Sequence, residues 1–230
     1  MPLRASEISQ NMDNNLNNIS LMKPRLPEPT LRRLPWYLAY VKMLRNSEEY
    51  VSSTRISRDL GVDAARIAKD LSFLGVKGKT RMGYNIAELE CALTGFLDFT
   101  SSHRAVVIGA GSLGGALMHD SGLAQYGLEI VAGFDVNPSL TGTTVCGIPI
   151  YDVSRLQEVR TQTDARIAIL TVPYELSQQV ADEAVAAGYN ALWNFTPVRI
   201  AVPDNVVIVN TSIYAHLALI YNRINSSDET

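Results

Sequence analysis

The sequence predicts a two-part α/β protein: a small, basic, helical amino-terminal part, then a parallel sheet flanked by helices, then one last helix. Three observations carry this. Two short amphipathic stretches meet at Gly61 and run into a basic, glycine-punctuated segment. The stretch GAGSLG, Gly109 to Gly114, directly follows the apolar run AVVI. From Arg104 on, strand-like and helix-like patterns alternate. In fold terms this is a winged helix-turn-helix domain followed by a Rossmann-like parallel-sheet domain and a C-terminal helix.

At 230 residues the chain has room for one large or two small domains. It is 47% hydrophobic and 19% charged, ordinary for a chain that builds a core. No apolar run reaches the ~18 residues of a membrane span, and the start has no apolar leader-like region. Cys91 and Cys146 are too few for a disulfide framework or a four-ligand zinc site, and Cys146 is expected to be a small buried hydrophobe. A reduced, cytoplasmic setting without a membrane partner is expected. The net charge is −3, yet Lys23 to Arg81 holds thirteen Lys or Arg against six Asp or Glu. A basic third on an acidic remainder suits a polyanion partner for the first part alone.

Residues 1–30, Asn-rich and Pro-spaced, are expected to form a flexible arm. The first domain is expected over 31–86. Its opening helix places Leu34, Leu38, Val41 and Leu44 on one face, with Pro35 in the first turn. The next helix is capped by Ser53, buries Ile56 and Leu60, and ends at Gly61. The third is capped by Asp63, buries Ile67, Leu71 and Leu74, and ends at Gly75. Helices two and three make a helix-turn-helix whose third helix would enter a major groove. Arg66 and Lys69 lie on its outward face, and Arg55 and Arg58 on the helix before it. A hairpin carrying Lys77, Lys79 and Arg81 would be the wing, pressing cations against phosphates. Double-stranded DNA is the expected partner.

Residues 87–103 are expected to form an apolar linker helix joining the two domains, and 104–210 the second domain. Its strands are expected at Ala105–Ile108, Glu129–Phe134, Arg166–Thr171, Ala191–Phe195 and Val206–Val209, with helices near Ser112–His119 and Glu175–Ala187. In GAGSLG, Gly109 permits the tight turn, Gly111 lets a pyrophosphate approach the backbone, and Gly114 lets helix and strand pack closely. The backbone around Ala110, Ser112 and Leu113 would offer N–H groups to the phosphates. Asp135, 24 residues after Gly111, is placed to accept hydrogen bonds from a ribose and to repel a 2′-phosphate, favouring NAD+/NADH over the phosphorylated cofactor. No residue set nominates a proton donor: the three histidines are scattered and no Tyr is followed four residues later by Lys. Binding without turnover is expected. An NAD-dependent oxidoreductase with an appended DNA-binding domain and a CoA-binding Rossmann module stand as alternatives, Asp135 arguing mildly against the second. Residues 211–230 are expected to hold an amphipathic last helix, apolar at Ile213, Leu217, Ile220 and Ile224, and a tail.

The motifs RLPWYL, VSSTRISRDLGVDAARIAKDLSFLG, GKTRMGYNI, GAGSLGGAL, GFDVNP, LTVP and NFTP, in this order, resemble the Rex family of redox-sensing transcriptional repressors. The resemblance implies a homodimer that exchanges its last helix between subunits. It implies operator binding compatible with NAD+ and release by NADH. It also implies that Thr171, Val172, Pro173 and Asn194 line the cofactor cleft near the nicotinamide. Three positions associated in the family with coupling cofactor state to domain orientation are changed: Ala39 stands where an Arg is common, Asp120 where a Tyr is common, and Ser212 where an Asp is common. Ala68 in the third helix also replaces a common Arg. An ionised Asp120 beside the nicotinamide would favour the cationic NAD+ ring.

Overall fold

The computed structural model describes residues 26–227, so the arm expected over 1–30 lies outside the described residues up to 25. The chain divides into two compact units, one up to Thr100 and one from Ser101 on.

The first unit opens with α1 (Glu28–Leu44). It starts earlier than the sequence suggests, because Leu26, Thr30 and Leu34 are all drawn into the core. Pro29 takes the tolerated first-turn position, and Pro35 falls inside the helix. Leu34, Tyr37, Leu38 and Val41 are fully buried. The short strand β1 (Tyr50–Val51) leads into α2 (Ser53–Leu60). Its cap is Ser52, not Ser53: the Ser52 side chain accepts the Arg55 N–H, and Gly61 ends the helix with φ +67°. In α3 (Ala64–Ser72) the Asp63 side chain accepts the Arg66 N–H, as the cap pattern predicts. The expected wing hairpin shrinks to a single antiparallel bridge, Lys79 with Gly83, around a loop in which Arg81 is left-handed at φ +66°. The strand that follows, β2 (Tyr84–Asn85), pairs back onto β1.

Helix α4 (Ile86–Phe96), capped by Asn85, stands where the sequence suggests a linker. Instead Ile86, Leu89 and Leu93 complete the core formed by Leu34, Leu38, Ile56, Ile67 and Leu71. Its apolar periodicity marks a buried helix; the helix buries that face inside the first unit.

The second unit is a seven-stranded sheet: β3 (His103–Ile108), β4 (Leu128–Asp135), β5 (Thr144–Val145), β6 (Ile148–Asp152), β7 (Ile167–Leu170), β8 (Ala191–Asn194) and β9 (Val207–Asn210). The order is β5-β6-β4-β3-β7-β8-β9, parallel except for β5. Strands β5 and β6 carry little sequence signal because they form a tight hairpin in a Thr- and Gly-rich stretch. Cys146 and Gly147 make its turn at φ +50° and +81°. Cys146 is therefore exposed, not a buried hydrophobe.

Alternate residues of β3 feed the two faces. Val106 and Ile108 pack with Leu156 and Val159 of α7 (Leu156–Thr163) and Ala181 and Ala184 of α8 (Ser177–Ala186). Ala105 and Val107 pack with Met118 of α5 (Ser112–His119) and Ile150. A short helix, α6 (Gly122–Gln125), follows α5. The described residues end in α9 (Ile213–Ser227), where Ile213, Leu217, Ile220 and Ile224 are all exposed. Edge-strand residues Val207 and Val209 are exposed as well.

Candidate functional site: a nucleotide crevice and a basic helix-turn-helix

From β3 the chain moves outward to β4 and β6, then returns to the other side of β3 as β7. That reversal opens a crevice beyond the carboxyl ends of β3 and β7, the place where open α/β sheets take ligands. A cavity of about 460 Å³ at the opposite end of β3, lined by Arg104, Asp164 and Arg166, lies away from the glycine turn. The crevice at the turn holds a cavity of about 350 Å³. Gly109, Gly111, Asp135, Val136, Asn137, Leu140, Val153, Thr171, Val172, Pro173, Leu176 and Val180 line it.

The turn follows from its glycines. Gly109 has φ +100°, and a Cβ there would stand 2.8 Å from the Thr171 carbonyl oxygen. A Cβ on Gly114 would stand 2.0 Å from the Gly109 carbonyl oxygen, so α5 rests against the turn itself. A Cβ on Gly111 would meet no atom within 4 Å; that space is open. Gly111 is the N-cap of α5 and no side chain caps the helix. The backbone at exposed Ser112 and Leu113 thus begins a helix with uncapped N–H groups and a partial positive charge.

Two side chains tie the turn down. Asp135 Oδ2 accepts the Ala110 N–H at 2.8 Å, and Oδ1 accepts the Asn137 N–H at 2.8 Å. The Thr171 hydroxyl donates to the Gly109 carbonyl at 2.7 Å. Ala110 is itself buried, so its N–H serves Asp135. The residue set fits a dinucleotide: an open cradle at Gly111, an uncapped helix start, a carboxylate at the end of β4, and an apolar slot. Of the slot residues, Val136 belongs to the GFDVNP motif, whereas Leu140, Val153, Leu176 and Val180 fall outside the quoted motifs and reach the slot from segments distant in sequence.

The other expected cleft residues separate. Thr171, Val172 and Pro173 line the cavity. Asn194 does not: it is fully buried, its amide donating to the Val198 carbonyl and the Asn210 side chain and its oxygen accepting the Thr196 N–H. It fastens the NFTP turn. Asp120 is exposed at the end of α5 with Oδ1 accepting the Gly122 N–H at 2.8 Å, and it does not line the cavity. Ser212 caps α9 by accepting the Ala215 N–H, and Ala39 is exposed on α1.

In the first unit Arg66 and Lys69 are exposed on α3, and Lys77 and Arg81 around the wing. Lys79 donates to the Tyr50 hydroxyl at 2.8 Å and stands 5.0 Å from that ring's centroid. That hydrogen bond raises the pKa of the ammonium, so it stays charged. Arg58 is largely exposed and bonds Asp59. Arg55 is bonded to Glu48 and lies 3.7 Å from Asp59, so its guanidinium is engaged within the protein. Behind the exposed face, burial pushes the Asp70 carboxyl up, but hydrogen bonds from Arg33, Tyr37 and Thr30 and the Arg33 charge outweigh it and hold its pKa below the ordinary value. Among the described residues no group of three or more His, Cys, Asp or Glu could hold a metal, and no helix is long and apolar enough to cross a membrane.

Residues 25–72 match a family model described as "Putative DNA-binding protein N-terminus", and residues 100–198 match the CoA binding domain model. The redox-sensing transcriptional repressor Rex of Porphyromonas gingivalis is 54% identical, over 91% of this chain and 97% of its own length. Rex of Bacteroides fragilis is 54% identical over 89% and 93%. A solved structure of RSP with beta-NAD+ and operator DNA superposes with a TM-score of 0.84 at 32% identity, covering 89% of this chain and 95% of that one. RSP with beta-NADH superposes with a TM-score of 0.80 at 32% identity, covering 89% and 97%. This chain belongs to the Rex family of redox-sensing transcriptional repressors.

Proposed function

We propose that this chain is a homodimeric repressor that binds operator DNA through the first unit and is released when NADH replaces NAD+ in the crevice of the second. The observation that carries the cofactor reading is the crevice itself. Gly111 leaves room for a pyrophosphate, the uncapped start of α5 faces it with N–H donors, and Asp135 offers carboxylate oxygens to a ribose. When bound, the nicotinamide supplies two redox states that differ in ring charge. The chain's own residues would bind and orient the cofactor, and binding without turnover is the reading, as for a transcription regulator.

On the DNA side Arg66 and Lys69 would meet base edges in the major groove, while Arg58, Lys77, Lys79 and Arg81 would meet phosphates. The exposed stripe Ile213, Leu217, Ile220 and Ile224 of α9, with Val207 and Val209 at the sheet edge, suits a second copy of the chain. The relative RSP, solved in complex with beta-NAD+ and operator DNA and in complex with beta-NADH, supports the same division of labour. The deciding experiment is binding to a library of palindromic duplexes at fixed salt with NAD+, NADH or CoA present. Release by NADH alone is expected. Release by CoA, or indifference to all three, would overturn the cofactor assignment.

A further inference from the structure

The third helix carries the exposed cations, yet what holds it is a carboxylate on its hidden face. Its inward residues are Ile67, Asp70 and Leu71, all buried. Ile67 and Leu71 sit in the apolar core, where contact is close-packed but not directional. Asp70 is different. Its Oδ1 accepts from Thr30 Oγ1 at 3.0 Å and Arg33 Nη2 at 2.9 Å; its Oδ2 accepts from Arg33 Nε at 2.7 Å and the Tyr37 hydroxyl at 2.9 Å. Both oxygens are filled, and the Arg33 contact is the planar two-pronged fork. Thr30, Arg33 and Tyr37 fall on one face of α1, three and four residues apart.

A directional clamp thus ties α3 to α1 over 37 residues of sequence. It sits next to Lys69 and one turn from Arg66. A roll of about 20° around the helix axis would move side chains at the 5–6 Å helix surface by about 2 Å. That is enough to lose bidentate hydrogen bonds to a base edge but not the attraction of a cation to phosphate. Buried ion pairs add little net stability, and their best-attested use is fixing register.

We propose that the Arg33–Asp70 pair is the register lock of the DNA-reading helix, a specificity-determining contact behind the DNA face. This rests on the reading of the first unit as the DNA-binding part. Arg33 and Asp70 are positioning residues acting through Arg66 and Lys69.

The test uses the full chain. Wild type first selects a duplex from a random palindrome library, and affinity is then measured for that duplex and a scrambled one across salt, with thermal unfolding alongside. The double variant Arg33→Met with Asp70→Leu replaces the pair by apolar groups and leaves no buried charge. It is expected to unfold cooperatively near the wild-type temperature and to keep its affinity and salt slope on the scrambled duplex. It should lose roughly tenfold or more of the selected-to-scrambled ratio, the cost of about one base contact. An undiminished ratio in the folded double variant overturns the proposal. If that variant does not fold, Arg33→Lys keeps the charge beside Asp70 but cannot form the planar fork. A reduced ratio in folded Arg33→Lys supports the lock, and an unchanged ratio overturns it. Wild type that prefers no duplex removes the DNA-binding reading itself, and the proposal with it.

Discussion

The Asp135 carboxylate receives the Ala110 N–H at 2.8 Å, so the acid at the end of β4 holds the glycine turn in the shape that opens Gly111 to a ligand. Removing it would take away the proposed ribose acceptors and also free the turn. Hydrogen bonds to charged groups are worth roughly 1.5–3 kcal/mol each. Asp135→Ala is expected to weaken NADH by about tenfold or more and to relax discrimination against NADPH. Calorimetric titration with both cofactors checks this; unchanged NADH affinity would remove Asp135 from the binding site.

The glycines of the turn separate ligand approach from packing. A methyl group at Gly111 meets no protein atom within 4 Å, so Gly111→Ala is expected to leave the unfolding temperature near wild type while blocking the cofactor. A methyl group at Gly114 strikes the Gly109 carbonyl at 2.0 Å and the Thr171 hydroxyl at 2.8 Å. Gly114→Ala must shift backbone and is expected to cost about 1–3 kcal/mol of stability as well as binding. Thermal unfolding with cofactor titration reads both. Equal stability in the two variants would contradict this division.

Lys79 is expected to contribute to DNA affinity through phosphate alone. Tyr50 holds its ammonium in place through the hydroxyl and the ring face without neutralising it. Lys79→Ala should weaken binding similarly on every duplex and flatten the log–log salt dependence by about 0.9, one phosphate's worth. Tyr50→Phe keeps the ring beneath the ammonium and should produce a smaller loss. A change in sequence preference with an unaltered salt slope would argue against the phosphate assignment.

These cases show where the sequence is readable. Local signals suffice for α3, since Asp63, Ile67 and Leu71 lie within one helix, and for the glycine turn, since Gly109, Gly111 and Gly114 lie within six residues. Spacing alone points to Asp135, although it does not reveal the bond to Ala110. What escapes depends on partners far away in the chain. Arg33 and Asp70 are separated by 37 residues, and nothing near either one announces the other. The periodicity of α4 marks a buried face without saying which unit buries it. The family resemblance implies a cleft position for Asn194, yet its amide donates to Val198 and Asn210. Pro35 looks like a helix start because nothing in the preceding residues shows that Thr30 reaches Asp70.

Helix α9 supplies a prediction about assembly. Leu217 and Ile220 lie on its exposed apolar stripe, within one turn of each other. A carboxylate placed in a dimer core without a partner is strongly unfavourable. Leu217→Asp with Ile220→Asp is expected to give a monomer in sedimentation and to abolish tight binding to a two-half-site duplex. A variant that keeps the wild-type mass would show that this stripe does not join subunits.

The alkaline side of the stability curve follows from two buried phenols, one in each unit. Burial, with the Asp70 carboxylate beside it, pushes Tyr37 up from 10.0 to about 12. Burial also raises Tyr189 to about 12. Each raised pKa means that the unfolded chain gives up the phenolic proton at lower pH than the folded one. The stabilisation is therefore complete below pH 10 and is lost as pH climbs from about 10 to about 12. A rise of that size corresponds to at most about 2.7 kcal/mol per tyrosine. Asp70 has the opposite sense: its depressed pKa adds stability that is present above the ordinary carboxylate range and lost in acid, so it plays no part in the alkaline fall. Unfolding temperature is expected to stay level towards about pH 9 and then drop steeply. Tyr189 makes one long hydrogen bond, 3.3 Å to the Leu156 carbonyl, so Tyr189→Phe should cost little at neutral pH and soften the alkaline fall in the second unit. Tyr37→Phe should do the same in the first unit at a larger neutral cost, since its hydroxyl serves a buried carboxylate. Thermal unfolding from about pH 7 to about pH 12, with phenolate absorbance followed in parallel, reads both effects, and an alkaline fall unchanged in both variants would place its origin elsewhere.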